Sequence, residues 1–232
     1  MPHLVVARRI ALAGLAALSM GVAGSPAEAA TAADTVASAN HAGYGVVADQ
    51  VRRVSAEWTQ PAVSCKGAAS YSDFRISFAR AVHPISVGTS AECHDGTATY
   101  FAWIGTARHP IDDEVRPGDV LRASLSTTRS GVNFSIENDT RGWGVGGGSG
   151  GSGGPPTMTR ATIGAFARSD STGILPLADF GRVRFTDALV NGQPLDGQDP
   201  RRFTMQGSDG VVKAVTTRLA GDGSFGVSWR HA

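Results

Sequence analysis

Lysine is nearly missing from this chain of 232 residues. Two lysines stand beside nineteen arginines, and the formal net charge is +1. The arginines are scattered among 20 acidic residues, so no basic face forms and nucleic acid is excluded as the main partner. Aromatics are scarce at 7%, and only two cysteines occur. No stretch shows sustained helical periodicity, which argues against a helical bundle or a βαβ fold. Apart from Ile10–Ala23 no long apolar run exists, so no later segment is suited to cross a membrane as a helix. What the chain does have is 30 glycines and 41% hydrophobic residues: enough core for a globular domain, cut into short elements by many turns.

The N-terminus reads as a targeting segment. Arg8-Arg9, the run Ile10–Ala23 and the pattern Ala27-Glu28-Ala29 mark residues 1–29 as a secretory signal peptide. A membrane anchor is the alternative, but the run is too short to span a bilayer and no stop-transfer charges follow it. Cleavage removes two of the 21 basic and one of the 20 acidic residues, leaving no net charge and no membrane association. Residues 30–42 are small and polar and are expected to form a flexible tail. Export would expose Cys65 and Cys93 to oxidising conditions, so a Cys65–Cys93 disulfide is expected, with two buried free thiols as the alternative. Two cysteines without histidine at ligand spacing do not make a tetrahedral set, and neither metal nor cofactor is expected.

Residues 43–232 read as a single antiparallel β-sandwich. Val54–Thr59 alternates up to Pro61, and Phe74, Ile76 and Phe78 share one face of a strand. Val132, Phe134 and Ile136 share another, as do Phe225, Val227 and Trp229. Asp95-Gly96 and Asn191-Gly192 are hairpin turns. Residues 144–156, GVGGGSGGSGGPP, break the pattern. They offer no side chain to bury and read as a flexible surface loop; a phosphate cradle is disfavoured because no lysine follows. Asp112-Asp113-Glu114 reads as a solvated loop, with calcium as the alternative ligand set. Asn133-Phe134-Ser135 and Asn138-Asp139-Thr140 match the glycosylation pattern.

The order of several segments resembles the glutamic peptidase (eqolisin) family of secreted acid endopeptidases. The resemblance is carried by VSAEWTQPAVSC (54–65), SYSDF (70–74), VGTSAEC (87–93), YFAW (100–103), RPGD (116–119), TGILPLADFGRVRFTDA (172–188), TMQGSDGVVKA (204–214) and DGSFGVSW (222–229). It implies a concanavalin-like sandwich of two bent sheets, with a substrate cleft on the concave face. In that family a glutamate acts as general base and acid, and a glutamine donates to the oxyanion.

The matching positions here hold neither residue. The glutamine position, two residues before Gly88, is Ser86, and the glutamate position, in the strand at 161–166, is Thr162. Realignment does not restore them. No carboxylate lies between Asp139 and Asp170, and no carboxamide between Gln60 and Asn133. The family's cleft tryptophan is Arg75, its supporting aspartate is Ala79, and Gly105 stands where a glutamate usually follows Ala-Trp. The expected function is therefore a secreted, proteolytically inactive relative whose remodelled cleft binds a peptide or a cell-surface glycan. Arg75, Trp103 and Arg108 are the candidate cleft residues, with Arg80 adding charge. Two alternatives stand beside it: an acid endopeptidase with rearranged catalytic groups, and a hydrolase using Ser86 as nucleophile. The second needs a nearby base, and His83, three residues away, falls on the opposite strand face.

Overall fold

The computed structural model describes residues 35–80, 83–105, 107–150 and 156–232. The signal peptide assigned to residues 1–29 lies outside the described residues, as do the side chains of Arg80 and His83. Eighteen strands follow one another among the described residues. They are β1 Thr35–Ser38, β2 His41–Val47, β3 Arg53–Thr59, β4 Ser70–Arg80, β5 His83–His94, β6 Thr97–Ile104, β7 His109–Glu114, β8 Val120–Thr127 and β9 Gly131–Asn138. Then come β10 Trp143–Gly150, β11 Arg160–Phe166, β12 Ser169–Asp170, β13 Gly173–Ile174, β14 Arg182–Val190, β15 Gln193–Pro194, β16 Arg201–Gln206, β17 Val212–Thr216 and β18 Phe225–Trp229. A 3-10 turn at Leu195–Gly197 is the one helical element among the described residues.

Hydrogen bonding joins the strands in the order β10-β9-β8-β3-β14-β18-β17-β16-β2-β11-β4-β5-β6-β7. Every pairing in this path is antiparallel. The path turns back on itself, so that β3 and β8 pack on β4 and β5. The period-two pattern supplies the core between these layers. Phe74, Ile76 and Phe78 of β4 are fully buried against Trp58 of β3 and Leu121 and Leu125 of β8. Trp58 Nε1 donates across the layers to Thr89 Oγ1 of β5 at 3.0 Å, satisfying an indole that could not otherwise be buried without cost. The result is the expected all-β, eqolisin-like sandwich. Asp95-Gly96 and Asn191-Gly192 turn with positive φ at both residues, as two-residue hairpins require. Cys65 and Cys93 are bridged, with Cα atoms 5.4 Å apart.

Two expectations are corrected. The tail assigned to residues 30–42 is structured from Thr35 onward, because β1 pairs in parallel with β16 and His41 and Ala42 are buried. Small polar residues had suggested looseness, but β16 pairs with β2 and β17 over only part of its length and also bonds the β1 backbone, whatever the side chains. The Gly-rich loop assigned to 144–156 begins as a strand. β10 pairs residue for residue with β9 from Trp143↔Asn138 to Gly150↔Gly131. Glycine buries nothing, but an edge strand needs only its amides and carbonyls. The missing side chain also lets the Phe134 ring lie over the backbone: a Cβ on Gly147 would sit 2.8 Å from Phe134 Cζ. The Asn138 motif also changes its reading. Asn138 is buried, with Nδ2 donating to Asp119 Oδ2 at 2.9 Å, so its amide is closed to modification in the folded chain.

Candidate functional site

Alternation on neighbouring strands builds the cleft. Because Phe74, Ile76 and Phe78 enter the core, Asp73, Arg75, Ser77 and Ala79 face the other way. The registers then align three cross-strand rows: Gly45–Thr162–Ser77–Ser86, Gly43–Gly164–Arg75–Gly88–Trp103, and His41–Phe166–Asp73–Ser90–Phe101.

The first row holds both positions where the peptidase pair was expected. Ser86 and Thr162 lie on strands either side of β4, with Ser77 between them. Ser77 Oγ and Ser86 Oγ are hydrogen-bonded at 2.9 Å, and both residues are buried. Ser86 is therefore partnered by another hydroxyl, not by a base. The four glutamates of residues 43–232 lie elsewhere, in ion pairs. Glu57 meets Arg122 at 3.2 Å and Glu114 meets Arg141 at 3.0 Å. Glu137 lies 4.0 Å from Arg122, and Glu92 is bound by Arg168.

The second row makes a slot for a cation. Gly164 and Gly88 flank Arg75 on the adjacent strands. A Cβ on Gly88 would come within 2.5 Å of Arg75 Cβ, and one on Gly164 within 2.8 Å of Gly43 Cα. The Arg75 guanidinium carbon lies 3.9 Å from the Phe166 ring centroid and 5.9 Å from that of Trp103. Arg75 Nε is buried without a hydrogen-bond partner. Burial lowers the Arg75 pKa to about 10, with Asp73 opposing and Arg108 adding to the shift. The side chain therefore stays cationic at neutral and acid pH.

The third row fixes the neighbouring charge. Asp73 is buried and accepts from Ser90 Oγ and from Arg108 Nη2, each at 2.8 Å. Arg108 also donates to Ser90 Oγ. It comes from the turn between β6 and β7 with φ of 53°, a costly conformation for arginine, and its guanidinium carbon lies 4.9 Å from the Trp103 ring centroid. Burial lowers the Arg108 pKa, against the attraction of Asp73. His41 stacks on Phe166 with centroids 4.3 Å apart, and its Nε2 is buried without a partner. Burial lowers its pKa to about 3; the Ile163 carbonyl opposes the shift and Arg75 adds to it.

The open space over these rows is a cleft of about 560 Å³. Arg75, Arg160 and Arg201 line it, together with His41, Phe166 and Phe203, and no carboxylate lines it. The three residues proposed from sequence thus meet in space, in different states. Trp103 is wholly buried between two guanidinium groups, Arg108 is committed to Asp73, and Arg75 faces the cleft. Sequence reading missed His41, Arg160, Arg201, Phe166 and Phe203. Period-two phase from Thr162 would have placed Arg160 and Phe166, whereas His41 was hidden by its assignment to the tail. Asp112-Asp113-Glu114 lies on the exposed strand β7, and no cluster of three or more potential ligands is placed to hold a metal among the described residues.

The sequence profile described as the peptidase A4 family matches residues 39–229. No curated protein sequence matches significantly. Similar solved structures include scytalido-glutamic peptidase with a transition-state-analogue inhibitor, at a TM-score of 0.67 and 20% identity, covering 83% of this chain and 98% of that one. A second structure of that peptidase, with a peptide-based analogue, gives 0.68 at 20% identity and the same coverage. SCP-B, a member of the eqolisin family in complex with the tripeptide Ala-Ile-His, gives 0.65 at 21% identity, again covering 83% and 98%. At such identity the likeness is one of fold, while the profile spans most of the chain. The protein belongs to the peptidase A4 family, the glutamic peptidases or eqolisins.

Proposed function

We propose that this chain is an exported, proteolytically inactive member of its family, and that its cleft binds a peptide or a cell-surface glycan. The observation that carries this reading is the hydroxyl row Thr162–Ser77–Ser86, of which Thr162 and Ser77 line a cleft with no carboxylate among the described residues. Water attack on a peptide carbonyl needs a group that takes a proton near the working pH and then returns it to the leaving amine. Serine and threonine hydroxyls do not ionise in that range. The oxyanion also loses its carboxamide donor, and that loss alone is worth roughly 10²–10³ in rate. The cleft nevertheless persists. Its family relatives hold a tripeptide and peptide-based analogues, which favours a segment of extended chain as occupant here. Export is supported by the leader pattern in the sequence and by the Cys65–Cys93 disulfide.

The test is incubation of the purified mature protein with unfolded casein from about pH 2 to pH 7, alongside binding measurements with peptide and cell-wall glycan arrays. The expected result is intact casein with saturable binding. Casein cleavage that resists serine-protease inhibitors and is lost on a single cleft substitution would overturn the reading. Cleavage blocked by a serine-directed phosphonate would instead support Ser86 as nucleophile.

A further inference from the structure

We infer that the cleft receives a peptide bearing a carboxylate, held by the Arg75 guanidinium where it lines the cleft, with Arg160 and Arg201 adding positive charge. This rests on the reading of the cleft as a binding site and names the chemistry that the site selects.

Arg75 is an enclosed cation. Enclosed cations are normally paired, because removal from water is costly without a counter-charge. Three half-buried arginines of this protein follow that rule. Arg108 reaches Asp73, Arg141 reaches Asp119 at 2.6 Å, and Arg168 reaches Glu92. Arg75 has no hydrogen bond to a carboxylate and no ion pair among the described residues, and its Nε is buried and unpartnered. The Phe166 face orients the guanidinium plane but supplies no acceptor. The glycines on both flanks carry no side chain beside it, and at Gly88 a Cβ would collide with the Arg75 Cβ at 2.5 Å. A planar fork of donors facing an open cleft matches a carboxylate, which can accept two of its N–H groups at once.

The surroundings agree in sign. Arg160 and Arg201 are exposed, line the same cleft, and are not balanced by any aspartate or glutamate in its lining. Asp73, the nearest acid in the rows, already accepts at Oδ1 from both Ser90 and Arg108. The aromatic content favours peptide over sugar. Saccharide sites offer open ring faces for stacking, whereas Trp103 and Phe166 are buried here beneath guanidinium and imidazole groups. The carboxylate could be an aspartate or glutamate side chain, or a free C-terminus.

The test is fluorescence anisotropy with dye-labelled pentapeptides. Three are capped at both ends: Ala-Ala-Asp-Ala-Ala and its Asn and Lys counterparts. A fourth, all-alanine, keeps a free C-terminus. Each is measured against wild type, Arg75→Met, Arg75→Lys and the pair Arg160→Gln/Arg201→Gln. Wild type should bind the Asp peptide or the free-C-terminus peptide at least about tenfold more tightly than the Asn peptide, with Lys weakest, as a charge-assisted hydrogen-bond pair implies. Which of the two binds identifies the carboxylate's source. Arg75→Met, which keeps a long apolar stem on Phe166, should reduce that ratio to about one. Arg75→Lys should retain part of it, and the Arg160/Arg201 pair should lose mainly salt dependence. If Arg75→Met does not fold, the wild-type ratio and its partial loss in Arg75→Lys decide. Equal binding of all four peptides overturns the inference while peptide binding stands. No binding of any peptide up to about 1 mM, with binding of an oligogalacturonate that Arg75→Lys weakens, overturns the peptide in favour of a glycan. No binding of either probe overturns both this inference and the binding function.

Discussion

Acid should destabilise this fold through one side chain. His41 is 5% exposed, stacks on Phe166 and has an unpartnered Nε2. Its pKa falls from 6.5 in the unfolded chain to about 3 in the fold, driven first by burial. Because the folded value is the lower one, the unfolded chain takes up the proton first as pH drops. The stabilisation is complete above pH 6.5 and is lost progressively toward pH 3. One extra proton on the unfolded side gives a slope of about 1.4 kcal/mol per pH unit. Between pH 6 and pH 4 this amounts to about 2–3 kcal/mol, a substantial share of an ordinary domain's stability. Asp119 does not confuse this window. Burial works against its ionisation, but bonds from Asn138, the Arg116 amide and Arg141 lower its pKa below 3.8, so its stabilisation is lost only at lower pH. The assay is urea unfolding of wild type and His41→Phe at pH 7, 6, 5 and 4. Phenylalanine keeps the ring stack and cannot take up a proton. It should cost about 1–3 kcal/mol at pH 7 by crowding Gly43, and it should flatten the slope between pH 6 and pH 4. Wild-type stability that is level over that range, or an equal slope in the variant, would refute the reasoning.

Four further outcomes are expected. Ser86→Gln combined with Thr162→Glu should restore at most a trace of casein cleavage, since Arg75 in the adjoining row would hold the new glutamate ionised and make it a poor proton donor; robust turnover would show that the rest of the cleft is competent. Thiol titration of the unfolded, unreduced protein should find no free thiol. Reduction of the bridge across a sequence separation of 28 should cost about 3–4 kcal/mol, read by urea unfolding. Asp73→Asn should cost about 1–3 kcal/mol by leaving Arg108 half-buried without its counter-charge, and adding Arg108→Met should recover much of that; equal melting temperatures for wild type and Asp73→Asn would contradict the pairing. Deleting Gly146–Gly150 should lower the melting temperature by more than about 3 °C, because β9 loses its partner and Phe134 its cover, and an unchanged value would return this segment to the status of a loop.

The sandwich was legible because its signals are local. Alternation at Phe74–Phe78 and Phe225–Trp229 fixes which faces are buried, and Asp95-Gly96 and Asn191-Gly192 fix where the chain reverses. The absence of any carboxylate between Asp139 and Asp170 was legible as well, because it is a property of composition. Strand status for β1 and β10 was not. β10 adds to the open edge of β9, and β1 pairs with β16 beside that strand's short pairings with β2 and β17; the side chains of Thr35–Ser38 or of the glycine run carry no trace of either partner. The cleft's chemistry was only half legible. Arg75, Trp103 and Arg108 could be named from their alignment. Tertiary structure alone decided that Arg108 is neutralised by Asp73, that Trp103 is sealed, and that Arg75 remains unpaired between two glycines. Those outcomes depend on register across β11, β4, β5 and β6, which brings together residues as distant in the chain as Phe166 and Asp73, a distance over which local pattern carries no information.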